Sequence, residues 1–130
     1  MSKAAPLKLL IVDDHAALRQ TVRQLFNRPE VTILEASSGE EAVKLFGAGR
    51  PDWVVMDMRM PGMGGLKATE ALCKLDPRAR VIVISQFTDP EYVEQARQAG
   101  AFSFVSKEEL SLLPQVIQMD RPSAPPPLQQ

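Results

Sequence analysis

The feature that most constrains this chain is an alternation. Short apolar runs and helical apolar stripes take turns five times along the sequence. The apolar runs are Lys8 to Val12, Val31 to Ala36, Trp53 to Met56, Val81 to Ile84 and Phe102 to Val105. Between them, apolar residues recur at helical spacing, as in Leu18, Val22, Leu25 and Phe26 at i, i+4, i+7 and i+8. Strands alternating with helices imply βαβ units and a parallel sheet, and right-handed crossovers restrict the topology. The remaining helices are expected from Ser38 to about Phe46, from Gly65 to Lys74, from Asp89 to about Gln98 and from Leu110 to Met119. Ser37 and Ser38 before Glu40 and Glu41 offer a capping box. Asp89 before Pro90 places an N-cap residue ahead of a proline at the first helical position.

Polar residues cluster where the apolar runs stop. Asp13 and Asp14 follow the first, Asp57 the third, Ser85 the fourth, and Lys107 comes just after the fifth. In a parallel sheet these ends share one edge, and open α/β sheets bind ligands there. The second strand has no such cluster and fits an edge, so the expected strand order is 2-1-3-4-5. That is a flavodoxin-like (βα)5 doubly wound sheet, with its crevice between strands one and three.

Three carboxylates in one pocket repel unless a cation is present. Mg²⁺ takes a few oxygen ligands, keeps several waters and suits phosphate chemistry. Asp14 and Asp57 are the expected direct ligands. Asp13 joins them directly or through water, and the backbone carbonyl of Arg59 completes the protein's share. A carboxylate can attack phosphorus, and placement plus charge neutralisation supply most of such catalysis. Asp57 is the expected nucleophile, with Lys107 and Ser85 each holding a phosphoryl oxygen. A loop carrying Gly62, Gly64 and Gly65 leaves access from above.

Each piece has a plainer reading. An Asp pair at a strand end often only caps a helix, and a lysine after a strand is usually a surface charge. The order of all of them at four strand ends is what tells. His15, the only histidine, is expected at the pocket rim, partly exposed, rather than as a ligand. Cys73 lies in a helical pattern with Leu72 and Leu75 and reads as a small buried residue rather than a reactive thiol.

Val12-Asp13-Asp14-His15, the segment from Asp57 to Gly65, Ile84-Ser85 and Ser106-Lys107 resemble the receiver domain of two-component response regulators. The resemblance covers about Leu7 to Met119. It implies that Asp57 is phosphorylated by a histidine kinase or phosphotransfer protein and that the Asp pair binds Mg²⁺. It also implies that Ser85 and Lys107 sense the phosphoryl group, and that the face of helix four, strand five and helix five reads out the change. Phe104 stands at the aromatic switch position. Val-Asp-Asp-His with Leu18-Arg19 is most similar to the LuxR branch, whose members often carry a C-terminal DNA-binding domain. A downstream protein or fused output domain, and a phosphorylation-dependent dimer, follow as expected partners.

Three departures stand out. Glu108 follows Lys107 where many members have proline, leaving that peptide's isomer open. Gln86, with Arg59 and Phe87, is placed to crowd the phosphoryl site. Pro114 is tolerated only in the first turn of a helix, so the fifth helix is expected to be short.

At 130 residues the chain fits one domain over 1–119, followed by a tail or linker over 120–130, where four of eleven residues are proline. A net charge of −1 gives no reason to expect nucleic acid or membrane binding by this chain. No apolar stretch approaches the roughly 20 residues that span a bilayer. One cysteine excludes an internal disulfide, and the N-terminus lacks a signal-peptide apolar core, so a cytoplasmic location is expected. The competing readings are a stand-alone regulator acting by protein contact, a small Mg²⁺-dependent phosphatase or phosphotransferase, and a pseudo-receiver that no longer takes phosphate. No enzymatic activity beyond self-phosphorylation and autodephosphorylation is expected.

Overall fold

The computed structural model describes residues 6–117. The expected tail over 120–130 and the last two residues of the expected final helix, 118 and 119, lie outside the described residues. The elements are β1 (Leu7–Val12), α1 (Ala16–Leu25), β2 (Val31–Ala36), α2 (Gly39–Gly49), β3 (Trp53–Asp57) and α3 (Gly65–Leu75), then β4 (Val81–Ser85), α4 (Pro90–Ala99), β5 (Ser103–Ser106) and α5 (Leu113–Ile117), with a 3-10 segment Lys107–Leu112 before α5. The sheet is five-stranded and parallel in the order β2-β1-β3-β4-β5, as expected.

The strand pattern dictates two cores. Alternate residues point to opposite faces of the sheet. Leu10, Val12, Val54, Met56, Val81 and Val83 face one side and pack with Ala42, Phe46, Ala68, Leu72 and Ala96 from α2, α3 and α4. Leu9, Ile11, Val55, Ile82 and Ile84 face the other and pack with Val22 and Phe26 near α1 and with Leu113, Val116 and Ile117 of α5. Residues 53–57 and 81–85 of β3 and β4 are buried throughout, which explains why these runs are continuously apolar rather than alternating. Each fully buried aliphatic side chain contributes about 1.5–3 kcal/mol of transfer free energy.

Helix ends differ from expectation in instructive ways. α2 runs on through Gly47 to Gly49 and stops at Arg50, whose φ of 51° is left-handed and whose amide donates to the Phe46 carbonyl. One glycine costs a helix only about 1 kcal/mol, less than burying Phe46 on its face returns. The capping box is shifted by one residue. Ser38 Oγ accepts from the Glu41 amide, but Glu41 Oε1 accepts from the Ser37 amide rather than from Ser38. Asp89 is the N-cap of α4 with no side-chain capping bond, although Pro90 does open the helix. The final helix does not start at Leu110. Glu109 leaves helical geometry (φ −129°, ψ 35°), and α5 begins at Leu113, which puts Pro114 in its first turn. The Lys107–Glu108 peptide is trans.

Candidate phosphoacceptor site

The strand register assembles the site. Val12 pairs with Met56, so Asp13 and Asp57 stand one step further along adjacent strands. Asp57 pairs with Ile84 and Ser85 with Ser106, which brings Ser85 and the following Lys107 to the same edge. The five expected site side chains, Asp13, Asp14, Asp57, Ser85 and Lys107, converge. Asp13 is fully buried, Asp57 2% exposed and Ser85 1% exposed.

Lys107 Nζ lies 3.1 Å from Asp57 Oδ1 and 3.3 Å from Asp13 Oδ2. Its ammonium bridges the two strand-end carboxylates. Burial opposes charging of Lys107, but the ion pairs with Asp57 and Asp13 outweigh it and hold its pKa above the usual lysine value. Asp57 is pushed above the usual carboxylate range by burial first and by the nearby Asp13 charge second, with Lys107 opposing both. The Arg59 amide reaches Asp57 Oδ1 at 3.4 Å. Ser85 Oγ accepts from the Phe87 amide at 2.9 Å, which fixes the hydroxyl oxygen and leaves its proton to be donated elsewhere.

The donor set fits a hard divalent cation. Asp57 Oδ2 is a buried oxygen without a hydrogen bond, and Asp13 Oδ2 and Asp14 Oδ1 have only the 3.3 Å ion-pair contacts with Lys107 and His15. Such oxygens are costly to leave unsatisfied. One ligand atom from each of Asp13, Asp14, His15 and Asp57 falls within 4.8 Å of the others. His15 sits at the rim with its ring 72% exposed, and Nδ1 is 3.2 Å from Asp13 Oδ1 and 3.3 Å from Asp14 Oδ1. Its backbone role is N-cap of α1.

Close backbone packing positions the nucleophile's strand. A Cβ built on Gly65 would lie 1.8 Å from the Asp57 carbonyl oxygen and 2.9 Å from Met58 Cα. Only glycine lets α3 start against the end of β3. The cleft above is about 250 Å³ and is lined by His15, Leu18, Asp57, Arg59, Ser85, Gln86, Phe87 and Lys107. The three residues expected to crowd the site therefore do border it. Phe104 is half-buried on β5 against the core under α4. Cys73 is half-buried with Sγ 3.5 Å from the Gly100 carbonyl, and burial raises its thiol, in keeping with an inert residue.

Two contributors escaped the sequence reading. Arg19 Nη1 donates to the Asp13 carbonyl at 2.7 Å while its Nε donates to Glu35 at 2.8 Å. Tyr92, from the first turn of α4, accepts from Arg59 Nη2 at 3.1 Å. Only the helical spacing of Arg19 and Arg23, with Glu35 ahead in the chain, hinted at the first; nothing local signalled the second.

Residues 9–118 match the family described as the response regulator receiver domain. The chain is 36% identical over 110 residues to the nitrate/nitrite response regulator protein NarL of Escherichia coli strain K12, across 83% of this chain and 51% of that protein. It therefore spans about half the length of that relative. Among solved structures it is similar to a LuxR-family two-component response regulator from an Aurantimonas species, with TM-score 0.80, 31% identity, and coverage of 87% of this chain and 83% of that one. It is also similar to a chain in the CheX-CheY-BeF3-Mg complex from Borrelia burgdorferi, with TM-score 0.73, 31% identity and 78% of each chain covered. With the sheet order, the acidic strand ends and the bridging lysine, these matches place the chain in the response regulator receiver domain family, the phosphorylation-based signalling modules of two-component systems.

Proposed function

We propose that Asp57 accepts a phosphoryl group from the histidine of a sensor kinase or phosphotransfer protein. The observation that carries this reading is the Lys107 ammonium held 3.1 Å from Asp57 and 3.3 Å from Asp13, beside the buried Asp57 Oδ2, which has no hydrogen bond. An Asp57 oxygen attacks phosphorus, the O–P bond forms, and the P–N bond to the kinase imidazole breaks as the imidazole keeps the electron pair. Lys107 moves from bridging two carboxylates to neutralising a phosphoryl oxygen, and the Ser85 hydroxyl donates to another. The residues that would hold Mg²⁺ are Asp13, Asp14, Asp57 and the Arg59 carbonyl. When bound, the ion neutralises phosphoryl charge. His15 stays at the rim.

Residues 1–119 form the receiver, and 120–130 form a tail or linker to whatever reads the state. The signal passes through the face of α4, β5 and α5 to a downstream protein or fused output domain, as a monomer or as a phosphorylation-dependent dimer. The 39% identity to a putative transcriptional regulator of Pseudomonas aeruginosa, and the 31% identity to a DNA-binding response regulator of the LuxR family from Staphylococcus aureus, support transcription control through a DNA-binding domain outside this chain. The chain itself binds neither nucleic acid nor membrane, works in the cytoplasm, and performs no chemistry beyond its own phosphorylation and autodephosphorylation. Among the described residues no helix is long and apolar enough to cross a membrane.

Acetyl phosphate with Mg²⁺ is expected to add one phosphoryl group, read by intact mass, and Asp57→Asn to abolish it. Full labelling of that variant would overturn the assignment.

A further inference from the structure

Arg59 stands two residues beyond the phosphoacceptor, yet its side chain is held elsewhere. Its guanidinium carbon lies 4.8 Å from the Phe87 ring centroid and 5.4 Å from that of Tyr92. Nη2 donates to the Tyr92 hydroxyl at 3.1 Å. The two rings are themselves in contact, with centroids 5.8 Å apart. Phe87 is tied to the site through its amide, which donates to Ser85 Oγ. Tyr92 packs against the core that α4 covers, the same core that Phe104 touches. One cation thus touches three segments: the loop after Asp57, the loop after β4 and the first turn of α4. Arg59 and Phe87 also border the cleft that holds Asp57, Ser85 and Lys107.

We propose that Arg59 is a phosphoryl-responsive latch on α4, whose guanidinium exchanges its Phe87–Tyr92 cradle for the phosphoryl oxygens on Asp57. The inference rests on the phosphoacceptor reading and adds a residue to it. Two partners compete for one cation. A guanidinium on the exposed Phe87 and half-buried Tyr92 rings is held weakly, by the ring quadrupoles. A phosphoryl dianion offers oxygens that match the guanidinium fork and the full opposite charge. Leaving the cradle removes the hydrogen bond to Tyr92 and the cation shared by the two rings, so the first turn of α4 and the Phe87 loop lose a shared anchor. The latch is additional to the aromatic switch position at Phe104, which packs against the same core as Tyr92.

Coupling between sites is reciprocal, so the two halves of the latch carry opposite signs. Beryllofluoride with Mg²⁺ serves as the phosphoryl probe, titrated into the whole chain and followed by NMR. Removing the cation with Arg59→Ala should weaken beryllofluoride binding about 10- to 100-fold, the range of one lost charge-assisted hydrogen bond. Arg59→Lys should recover part of that loss. Weakening the cradle with Tyr92→Phe or Phe87→Leu should instead tighten binding, by about three- to tenfold, the range for losing one weak cation–π contact or neutral hydrogen bond. In the unaltered chain the Arg59 Nε–H and Tyr92 ring resonances should move on saturation, and exchange protection of the Glu91 to Val93 amides should fall. Arg59→Ala with unchanged affinity, or Tyr92 resonances that stay fixed while those of Asp13 and Asp57 shift, would overturn the latch and leave the phosphoacceptor reading standing. If the unaltered chain shows no shift at Asp13 and Asp57, both are overturned.

Discussion

At the scale of single residues, a partly buried charge arrangement reaches past the carboxylates to the backbone of Asp13. Glu35 on β2 receives Arg19 at 2.8 Å and Arg23 at 3.1 Å, and Arg19 in turn donates to the Asp13 carbonyl. The hydrogen bond from Arg19, set against partial burial and helped by Arg23, holds the Glu35 carboxyl below its ordinary value. A depressed acid stabilises the fold above its unfolded pKa, and that contribution is lost as pH falls through the folded value. Glu35→Gln should therefore cost about 1 kcal/mol at pH 7, the upper range for a partly exposed pair. The difference from the parent should shrink as pH drops below the ordinary carboxylate value of 4.5 and disappear once Glu35 is protonated in both states. Urea unfolding at a series of pH values checks this, and a gap that widens in acid would contradict it. The same substitution frees Arg19, so Mg²⁺ affinity, read by Trp53 fluorescence, should weaken modestly as Asp13 loses part of its anchoring.

At the scale of elements, the junction of β3 and α3 is the closest backbone approach at any glycine among the described residues. The Gly65 amide donates to the Met58 carbonyl at 3.1 Å, and its missing side chain admits the Asp57 carbonyl. Gly65→Ala cannot be absorbed by a side-chain rotation, because the clash at 1.8 Å is with backbone. Backbone displacement of this kind costs about 1–3 kcal/mol or more. Both the urea midpoint and the rate of acetyl phosphate labelling should fall, because the strand that moves carries Asp57. Ser38→Ala at the start of α2 is the contrasting case. It removes the bond from the Glu41 amide, costs about 1 kcal/mol, and should leave labelling unchanged, since no residue of α2 lines the cleft. Reduced labelling in Ser38→Ala at matched folded fraction would refute that separation.

At the scale of the whole molecule, the proposed function requires a charge placed at one edge of the sheet to become a change of shape at α4 and β5. Ser85 is fixed against the backbone of Phe87, and Phe104 pairs with Val83 two positions back along the neighbouring strand. On the proposed reading, drawing Ser85 toward a phosphoryl oxygen would open space for the half-buried Phe104 ring, turning a charge event into a packing event. Beryllofluoride with Mg²⁺ should alter amide exchange from Ser85 to Gln98 and from Phe102 to Lys107. Phe104→Leu should preserve binding at Asp57 yet lose most of the response in β5. Changes confined to the Asp13 and Asp57 loops of the parent would mean that the site binds without switching.

The sequence by itself determined the sheet, its order and which polar residues meet at its edge, because each rests on patterns read one residue at a time. Buried parallel strands need unbroken apolar runs, helices need a 3.6-residue stripe, and ligand-binding polar residues collect where strands stop. Asp13, Asp14, Asp57, Ser85 and Lys107 could be named without coordinates for that reason. Segment boundaries slipped where packing overruled local preference: Phe46 carried α2 through Gly47, and the turn at Glu109 delayed α5 to Leu113. Partnerships between side chains far apart in the chain were decided only by the tertiary structure. Nothing near Arg59 announces Tyr92, 33 residues away, and nothing near Asp13 specifies that Arg19 holds its carbonyl while Lys107 reaches its carboxylate. Such contacts depend on strand register and helix rotation acting together. A linear sequence encodes both through the collective packing of the core, with no signal at the residues that finally meet.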